Sequence, residues 1–282
     1  MSRHNGDLRF VVVYISLHKD LHSIYISLAT QYTSTMSPAN AAASASGSEN
    51  LSFEDQPIAW QDRENRQHGE LTTVLEVSAH PHCRSVRRLE LTIFLKMEGQ
   101  EKFELGYLIA WHVDKSVSTT RGRPQWISDM FGHRQEDGES ELNELKTAIR
   151  ALFWKTGQPF WDLEVRDKLF VDDIVFIDTF QIEHKNYRGK GLAQLVIRSF
   201  HHLLPQCVAP EESGSEETET EASNIVVILC PAACSEEPPV PPKTAVDVER
   251  SLVKSYKKTG YAVWIEGPEI EDDTITIMGR TL

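Results

Sequence analysis

The chain has few cysteines, no apolar run of membrane-spanning length and a shortage of positive charge. Its four cysteines in 282 residues are too few and too scattered for a disulfide-stabilised scaffold. The apolar run from Phe10 to Leu17 is far too short to cross a bilayer. Neither Cys230 with Cys234 nor the cluster from His80 to Cys83 has the two-residue cysteine spacing that is usual in zinc sites. We therefore expect a protein of a reducing compartment that binds no metal and no membrane.

The charge balance argues against one class of partner and favours another. The formal net charge is −13, whereas a surface that binds nucleic acid needs clustered lysines and arginines to displace counterions. A cationic partner is favoured instead. Part of the acidic excess lies between Glu211 and Glu221, among Ser, Thr and Gly residues, so we expect a solvated, disordered loop over 210–223.

The first 50 residues are expected to form a disordered extension of a single domain that covers 51–282. The stretch from Met36 to Ser48 is small, polar and low in complexity, which favours disorder. This pattern suggests Met36 as an alternative start of the protein. Because Asp7 and Asp20 interrupt the basic character of a mitochondrial presequence, we expect a cytoplasmic protein, with the nucleus as the alternative.

Three strands and a helix are predicted in the first half of the domain. The strands run from Leu71 to Ala79, Val86 to Lys96 and Phe103 to Val113, with a hairpin turn at 98–101. The segment 116–170 contains a helix from Ser140 to Phe153, because its apolar residues share one helical face and Gly157 follows as a stop. Three tryptophans in this segment, Trp126, Trp154 and Trp161, are expected to add to the core more than to a pocket.

The stretch from Ile174 to Leu204 predicts a strand, a glycine-containing turn and a helix. Ile174 to Ile182 is rich in β-branched and aromatic residues, and the apolar residues after Leu192 recur with helical spacing. Gly189 and Gly191 stand between the two elements. An anion would bind there, because the first amides of a helix have no intrahelical partner and glycines allow a phosphate to approach the backbone.

The hexapeptide Arg188-Gly-Lys-Gly-Leu-Ala193 resembles the (Gln/Arg)-x-x-Gly-x-(Gly/Ala) signature of the GNAT N-acetyltransferase superfamily. A Walker A loop is excluded by its spacing, and a dinucleotide fingerprint is disfavoured because Gln194 occupies the place of its third glycine. The resemblance implies an α/β (α+β) fold, with a mixed and largely antiparallel central sheet flanked by helices and a helical insertion before the central strand. It also implies acetyl-CoA as co-substrate, with the loop amides on its pyrophosphate and the strand backbone on its pantetheine arm. The binding residues implied in this way are Ile182, Arg188, Gly189, Lys190, Gly191, Leu192 and Ala193.

The C-terminal part of the chain contains a second motif that resembles the same family. A buried strand is predicted from Asn224 to Cys230, and a helix begins at Thr244, where Asp247 completes a capping box, and ends at Gly260. Closing strands are predicted from Tyr261 to Ile265 and from Thr274 to Met278. The sequence Tyr256-Lys-Lys-Thr-Gly-Tyr261 resembles the Tyr-x-x-x-Gly-Phe motif that ends a helix in this family. The chain departs from the family where two helices usually separate the first two strands, because too few residues lie there.

The resemblance implies that Tyr256 is the general acid of an acetyl transfer, and the alternative is that its ring only packs the helix. Asp178 and Glu183 are the carboxylates available as a base, although removal of the proton through water stays open. Asp178 is expected to share an apolar strand face with Phe176, Phe180 and Ile182, which would raise its pKa. The predicted function is direct transfer of an acetyl group from acetyl-CoA to a primary amine of a small molecule or a protein. The alternative is a catalytically weak module, on the same fold, that binds acyl-CoA or another protein.

Overall fold

The computed structural model describes residues 51–62, 66–119, 122–132, 139–208, 224–232, 244–266, 269–270, 273–274 and 276–282. The predictions made for residues 1–50 and for the acidic loop 210–223 lie outside the described residues. So does Cys234, whereas Cys83, Cys207 and Cys230 are buried free thiols.

The described residues form one large sheet, a small two-stranded sheet and four α-helices. The strands are β1 (Leu51–Glu54), β2 (Ile58–Gln61), β3 (His68–Ala79), β4 (Val86–Met97), β5 (Phe103–Asp114), β6 (Asp173–Ile182), β7 (Ile225–Leu229), β8 (Ala262–Ile265), β9 (Glu269–Ile270), β10 (Asp273–Thr274) and β11 (Ile277–Thr281). The helices are α1 (Gln125–Phe131), α2 (Asn143–Leu152), α3 (Leu192–Val208) and α4 (Ala245–Lys257).

The large sheet has the strand order β1-β3-β4-β5-β6-β7-β11-β8, with β2 also paired to β3. Every neighbouring pair is antiparallel except β6 and β7, which are parallel because α3 forms the crossover between them. β9 and β10 pair only with each other among the described strands. The expectation of a mixed, largely antiparallel sheet flanked by helices is confirmed.

Most predicted elements are found with shifts of a few residues at their ends. The helix predicted from Ser140 is preceded by a short 3₁₀ helix, Glu139–Leu142, and its α-helical part begins at Asn143. The capping box of α4 is present, because Thr244 accepts a hydrogen bond from the amide of Asp247 and the Asp247 carboxylate accepts one in return. The last strand starts at Ile277, later than predicted. As expected, no helix separates β3 from β4, which pair directly over their whole lengths.

A bulge in β6 overturns the predicted strand face. Ile109 and Ala110 of β5 are opposite Thr179 and Ile177, so Asp178 is an extra residue in β6. The bulge resets the alternation of side chains. Phe180 and Ile182 therefore lie on one face of the sheet with Leu108, whereas Phe176 lies on the other face with Trp111. The prediction that Phe176 shares a face with Phe180 and Ile182 is wrong.

The helices cover both faces of the sheet. α3 packs on the face of Phe180, where the Ser199 hydroxyl lies 2.6 Å from the Thr73 hydroxyl of β3. α2 contacts β6 and buries Leu145, Ile149 and Leu152 in the core. The three tryptophans of 116–170 do not behave alike, since Trp126 is buried but Trp154 and Trp161 are 46% and 79% exposed. The expectation that all three add to the core is wrong for the last two.

Candidate functional site

A cleft opens between β6, the glycine loop, the start of α3 and the end of α4. Its empty volume is about 640 Å³, including the part that is open to solvent. Apolar side chains from three elements form its walls: Phe180 of β6, Ile197 of α3 and Leu252 of α4. The predicted binding residues that line it are Ile182, Arg188, Gly189, Gly191, Leu192 and Ala193.

One edge of β6 is left without a strand partner beside this cleft. β5 pairs with β6 as far as Ile182, but β7 pairs only as far as Ile177, which is opposite Leu229. Pro231 follows soon after Leu229 and cannot donate to a strand ladder. Among the described strands, none therefore pairs with residues 178–182 on the β7 side. A free strand edge of this kind can accept an extended ligand by backbone hydrogen bonding.

The glycine loop has the backbone that an anion-binding turn needs. A short 3₁₀ helix, Lys185–Tyr187, follows β6, and Gly189 and Gly191 each have φ of +80°. A Cβ added to Gly191 would meet no atom of the protein within 4 Å, so open space surrounds this position. α3 starts at the next residue, Leu192. The Gln194 amide donates a hydrogen bond of 3.2 Å to the Gly191 carbonyl, whereas the amides of Leu192 and Ala193 precede the first residues that have an intrahelical acceptor. The positive end of the helix dipole thus lies beside the cleft.

Arg188 connects the loop to the strand that precedes it. Its Nε donates a hydrogen bond of 2.7 Å to the main-chain carbonyl of Ile182, the last residue of β6. The guanidinium, which is always charged, therefore stays at the wall of the cleft. This contact holds the positive charge of Arg188 beside the end of β6.

Lys190 is the one residue of the predicted binding set that does not line the cleft. Its ammonium nitrogen lies 2.6 Å from the Oδ2 atom of Asp62, whose side chain is 2% exposed. Its main-chain carbonyl accepts a hydrogen bond of 3.1 Å from the indole Nε1 of Trp60. Sequence reasoning missed both partners, because they lie almost 130 residues earlier in and beside a four-residue strand.

Tyr256 lines the cleft from the end of α4. Its ring is 7% exposed and packs edge-to-face against Tyr261, with 5.9 Å between the ring centroids. Burial raises the pKa of the Tyr256 phenol above its usual value of 10. The hydroxyl therefore stays protonated at neutral pH and is able to donate a proton. Behind it, the Tyr261 hydroxyl hydrogen-bonds to the buried His201 at 2.8 Å.

Neither candidate base is among the residues that line the cleft. Burial raises the pKa of Asp178 to about 7, and the Thr179 hydroxyl, which donates to it at 3.2 Å, and Arg88 oppose this rise. The expected rise of the Asp178 pKa is therefore found, but its cause is burial at the bulge beside Arg88 and Glu141, and the apolar face expected for Asp178 is not formed as predicted. Glu183 follows β6 and is exposed, with its amide bonded to the carbonyl of Leu105 at 2.9 Å.

Comparison with protein-family models, with curated proteins and with solved structures finds no match for this chain. No helix among the described residues is long and apolar enough to cross a membrane. Within the same residues, no group of three or more His, Cys, Asp or Glu side chains is arranged to hold a metal ion. The assignment of a function therefore depends on the cleft itself and on the motifs that form it.

Proposed function

We propose that the chain is an N-acetyltransferase that transfers an acetyl group from acetyl-CoA to a primary amine. The observation that carries this proposal is the convergence on one cleft of three separate features. These are the unpaired edge of β6, the glycine loop at the start of α3, and Tyr256. The resemblance to the GNAT superfamily implies a role in acetyl-CoA binding or transfer for each of them.

Each part of the proposed co-substrate matches a part of the cleft. The amides of the pantetheine arm are of the right chemistry to pair with the main chain of 178–182, in the manner of strand addition. The pyrophosphate would interact with the amides that follow Gly191, where the open space around that glycine leaves room for it. Arg188 supplies positive charge between the two sites. The apolar walls formed by Phe180, Ile197 and Leu252 would exclude water from a thioester bound between them.

Acetyl transfer forms a carbon–nitrogen bond to the amine and breaks the carbon–sulfur bond of the thioester. The amine must lose a proton and the departing thiolate must gain one. Tyr256 is the proton donor proposed for the thiolate, since it lines the cleft and is protonated at neutral pH. Asp178 is proposed to take the amine proton through water, because a pKa of about 7 suits a base near neutral pH and its side chain is outside the cleft lining.

A second candidate function is a module that binds acyl-CoA and catalyses transfer weakly. Two observations favour it. Burial raises the pKa of Tyr256, which makes the phenol a weaker acid, and no carboxylate is among the described residues that line the cleft. Ligand binding by the strand edge and the loop is common to both candidates, so turnover is what separates them.

The experiment that separates the candidates is an assay of CoA thiol release across a panel of amines. The panel would contain polyamines, lysine peptides, peptides with a free N-terminus and neutral aromatic amines. We expect thiol release that depends on one amine class, with a matched gain in the mass of the amine that corresponds to one acetyl group in place of one hydrogen. Binding of acetyl-CoA without turnover on any amine would favour the second candidate, and absence of binding would contradict both.

A further inference from the structure

Lys190 is held at both its side chain and its main chain by the N-terminal arm, defined as residues 51–62. Asp62 forms the ion pair with its ammonium group, and Trp60 donates to its carbonyl oxygen. Trp60 also packs edge-to-face on Tyr187, with ring centroids 6.0 Å apart. The arm therefore contacts the loop at the residue that separates the two left-handed glycines, and at the residue before the loop's arginine.

The arm is also attached to the body of α3. The carboxylate of Asp55 accepts a hydrogen bond of 2.5 Å from the Ser199 hydroxyl, and its other oxygen lies 3.1 Å from Nδ1 of His202. Ser199 in turn contacts Thr73 of β3. Because the arm is fixed to the middle of the helix and to the loop before it, the arm sets where the loop lies relative to the first turn of α3.

The contact from Trp60 also sets the orientation of one peptide group. In a trans peptide the carbonyl and the following N–H point in opposite directions. A Lys190 carbonyl held towards Trp60 therefore turns the amide of Gly191, which lines the cleft, away from Trp60. Glycines allow many backbone conformations, so a loop with two of them would lose much entropy on binding a ligand unless it were held beforehand.

We propose that Asp62 and Trp60 are positioning residues that preorganise the glycine loop, and that the Lys190 ammonium serves as the anchor for this contact rather than as a phosphate ligand. The part that concerns phosphate binding rests on the proposed function, whereas the ordering of the loop does not. A lysine in a glycine-rich loop would ordinarily be assigned to the phosphates. Here the Lys190 ammonium group forms an ion pair with the buried carboxylate of Asp62, which belongs to the N-terminal arm.

The substitution Asp62→Asn distinguishes the two roles, because they predict opposite signs. If Lys190 were a phosphate ligand, removal of the competing carboxylate would strengthen the binding of acetyl-CoA. If Asp62 positions the loop, the same change weakens binding by about tenfold, the scale of a lost coupled contact. Glu54→Gln is the matched control, since it removes the same charge from an exposed side chain of the arm that does not contact Lys190. Its affinity should equal that of the wild type.

Lys190→Met and the double variant complete a double-mutant cycle with Asp62→Asn, and Trp60→Phe is a separate test. Lys190→Met is expected to weaken binding about as much as Asp62→Asn, and the double variant should be no weaker than either single one. Trp60→Phe keeps an aromatic side chain at this buried position but removes the indole N–H together with part of the ring system. It tests the main-chain contact if Asp62→Asn fails to fold. Affinity that is raised in Asp62→Asn, or losses that simply add in the double variant, would overturn the proposal.

Hydrogen–deuterium exchange of the unliganded protein tests the ordering of the loop without any ligand. We expect faster exchange at the amides of 188–194 in Asp62→Asn and in Trp60→Phe, and unchanged exchange in Glu54→Gln. Equal exchange in all four proteins would refute the positioning role. Faster exchange in a protein that binds no acetyl-CoA would support the positioning role and contradict the proposed function alone.

Discussion

Replacement of Gly191 by valine is expected to abolish acetyl-CoA binding while the fold is retained. Gly191 has φ of +80°, a conformation that costs an L-residue about 1–2 kcal/mol. The new Cβ would meet no protein atom within 4 Å, so no clash adds to this strain. The isopropyl group would instead occupy the open space beside the loop amides, where the pyrophosphate is proposed to bind.

Gly99→Val is the matched control for this substitution. Gly99 lies in the turn between β4 and β5, has φ of +72° and is also surrounded by open space. It is not among the cleft residues. The two variants should therefore lose a similar free energy of unfolding, about 1–2 kcal/mol each, which corresponds to a fall in Tm of roughly 2–4 °C per kcal/mol.

Only Gly191→Val should lose affinity. Hydrogen bonds to a charged group contribute about 1.5–3 kcal/mol each, so the loss of two loop amides raises the Kd by more than about 100-fold. Isothermal titration calorimetry at one ionic strength, on the wild type and both variants, measures this effect. Wild-type affinity in Gly191→Val would show that the loop amides do not bind the pyrophosphate, and an equal loss of affinity in Gly99→Val would show that the effect is not specific to the loop.

Three other substitutions test the proposed proton donor, the proposed base and the contact between β5 and β6. Tyr256→Phe should lower kcat by about 10²- to 10⁴-fold with little change in acetyl-CoA affinity. Since burial raises the pKa of the Tyr256 phenol above 10, the loss of rate of the wild type at high pH should lie above pH 10. Full kcat in Tyr256→Phe would show that the Tyr256 ring only packs the helix. Asp178→Asn should remove the rise of kcat/KM through pH 7. Burial raises the pKa of Asp178 in the folded protein from 3.8 to about 7, so the wild type loses stability as the pH rises between these two values. Above pH 7 the neutral Asp178→Asn variant should therefore have the higher urea midpoint, with a free energy of unfolding larger by up to about 4 kcal/mol. An unchanged pH–rate profile would exclude Asp178 as the base. Gly106→Ala places a Cβ against the main-chain carbonyl of Gln181 and should destabilise the β5–β6 pair by about 1–3 kcal/mol. The urea midpoint of this variant should be lower than that of the control Gly99→Ala, and equal midpoints would contradict the expected clash.

The central elements could be predicted because their sequence patterns are long and unambiguous. β3, β4 and β5 have twelve residues each, and β7 is a continuous apolar run buried throughout. The loop could be predicted because two glycines stand between a strand and a helix. These are local signals, and local signals are what a single sequence contains.

The errors concern features that depend on contacts distant in sequence. The bulge at Asp178 is a property of the β5–β6 register, so the alternation within β6 alone gave the wrong face for Phe176. β1 and β2 have only four residues each, too few for a period to be recognised. For the same reason the Asp62–Lys190 ion pair had no signal in the sequence, although it fixes the loop that the sequence pointed to.

The cleft is proposed to accept both the phosphates and the pantetheine arm of acetyl-CoA. The most direct test is a calorimetric titration of the full chain with acetyl-CoA and, in parallel, with ATP at the same ionic strength. We expect saturable binding of one acetyl-CoA per chain and at least about tenfold weaker binding of ATP, because ATP has phosphates for the loop but no amides for the free edge of β6. No binding of acetyl-CoA, or equal affinity for ATP, would contradict it.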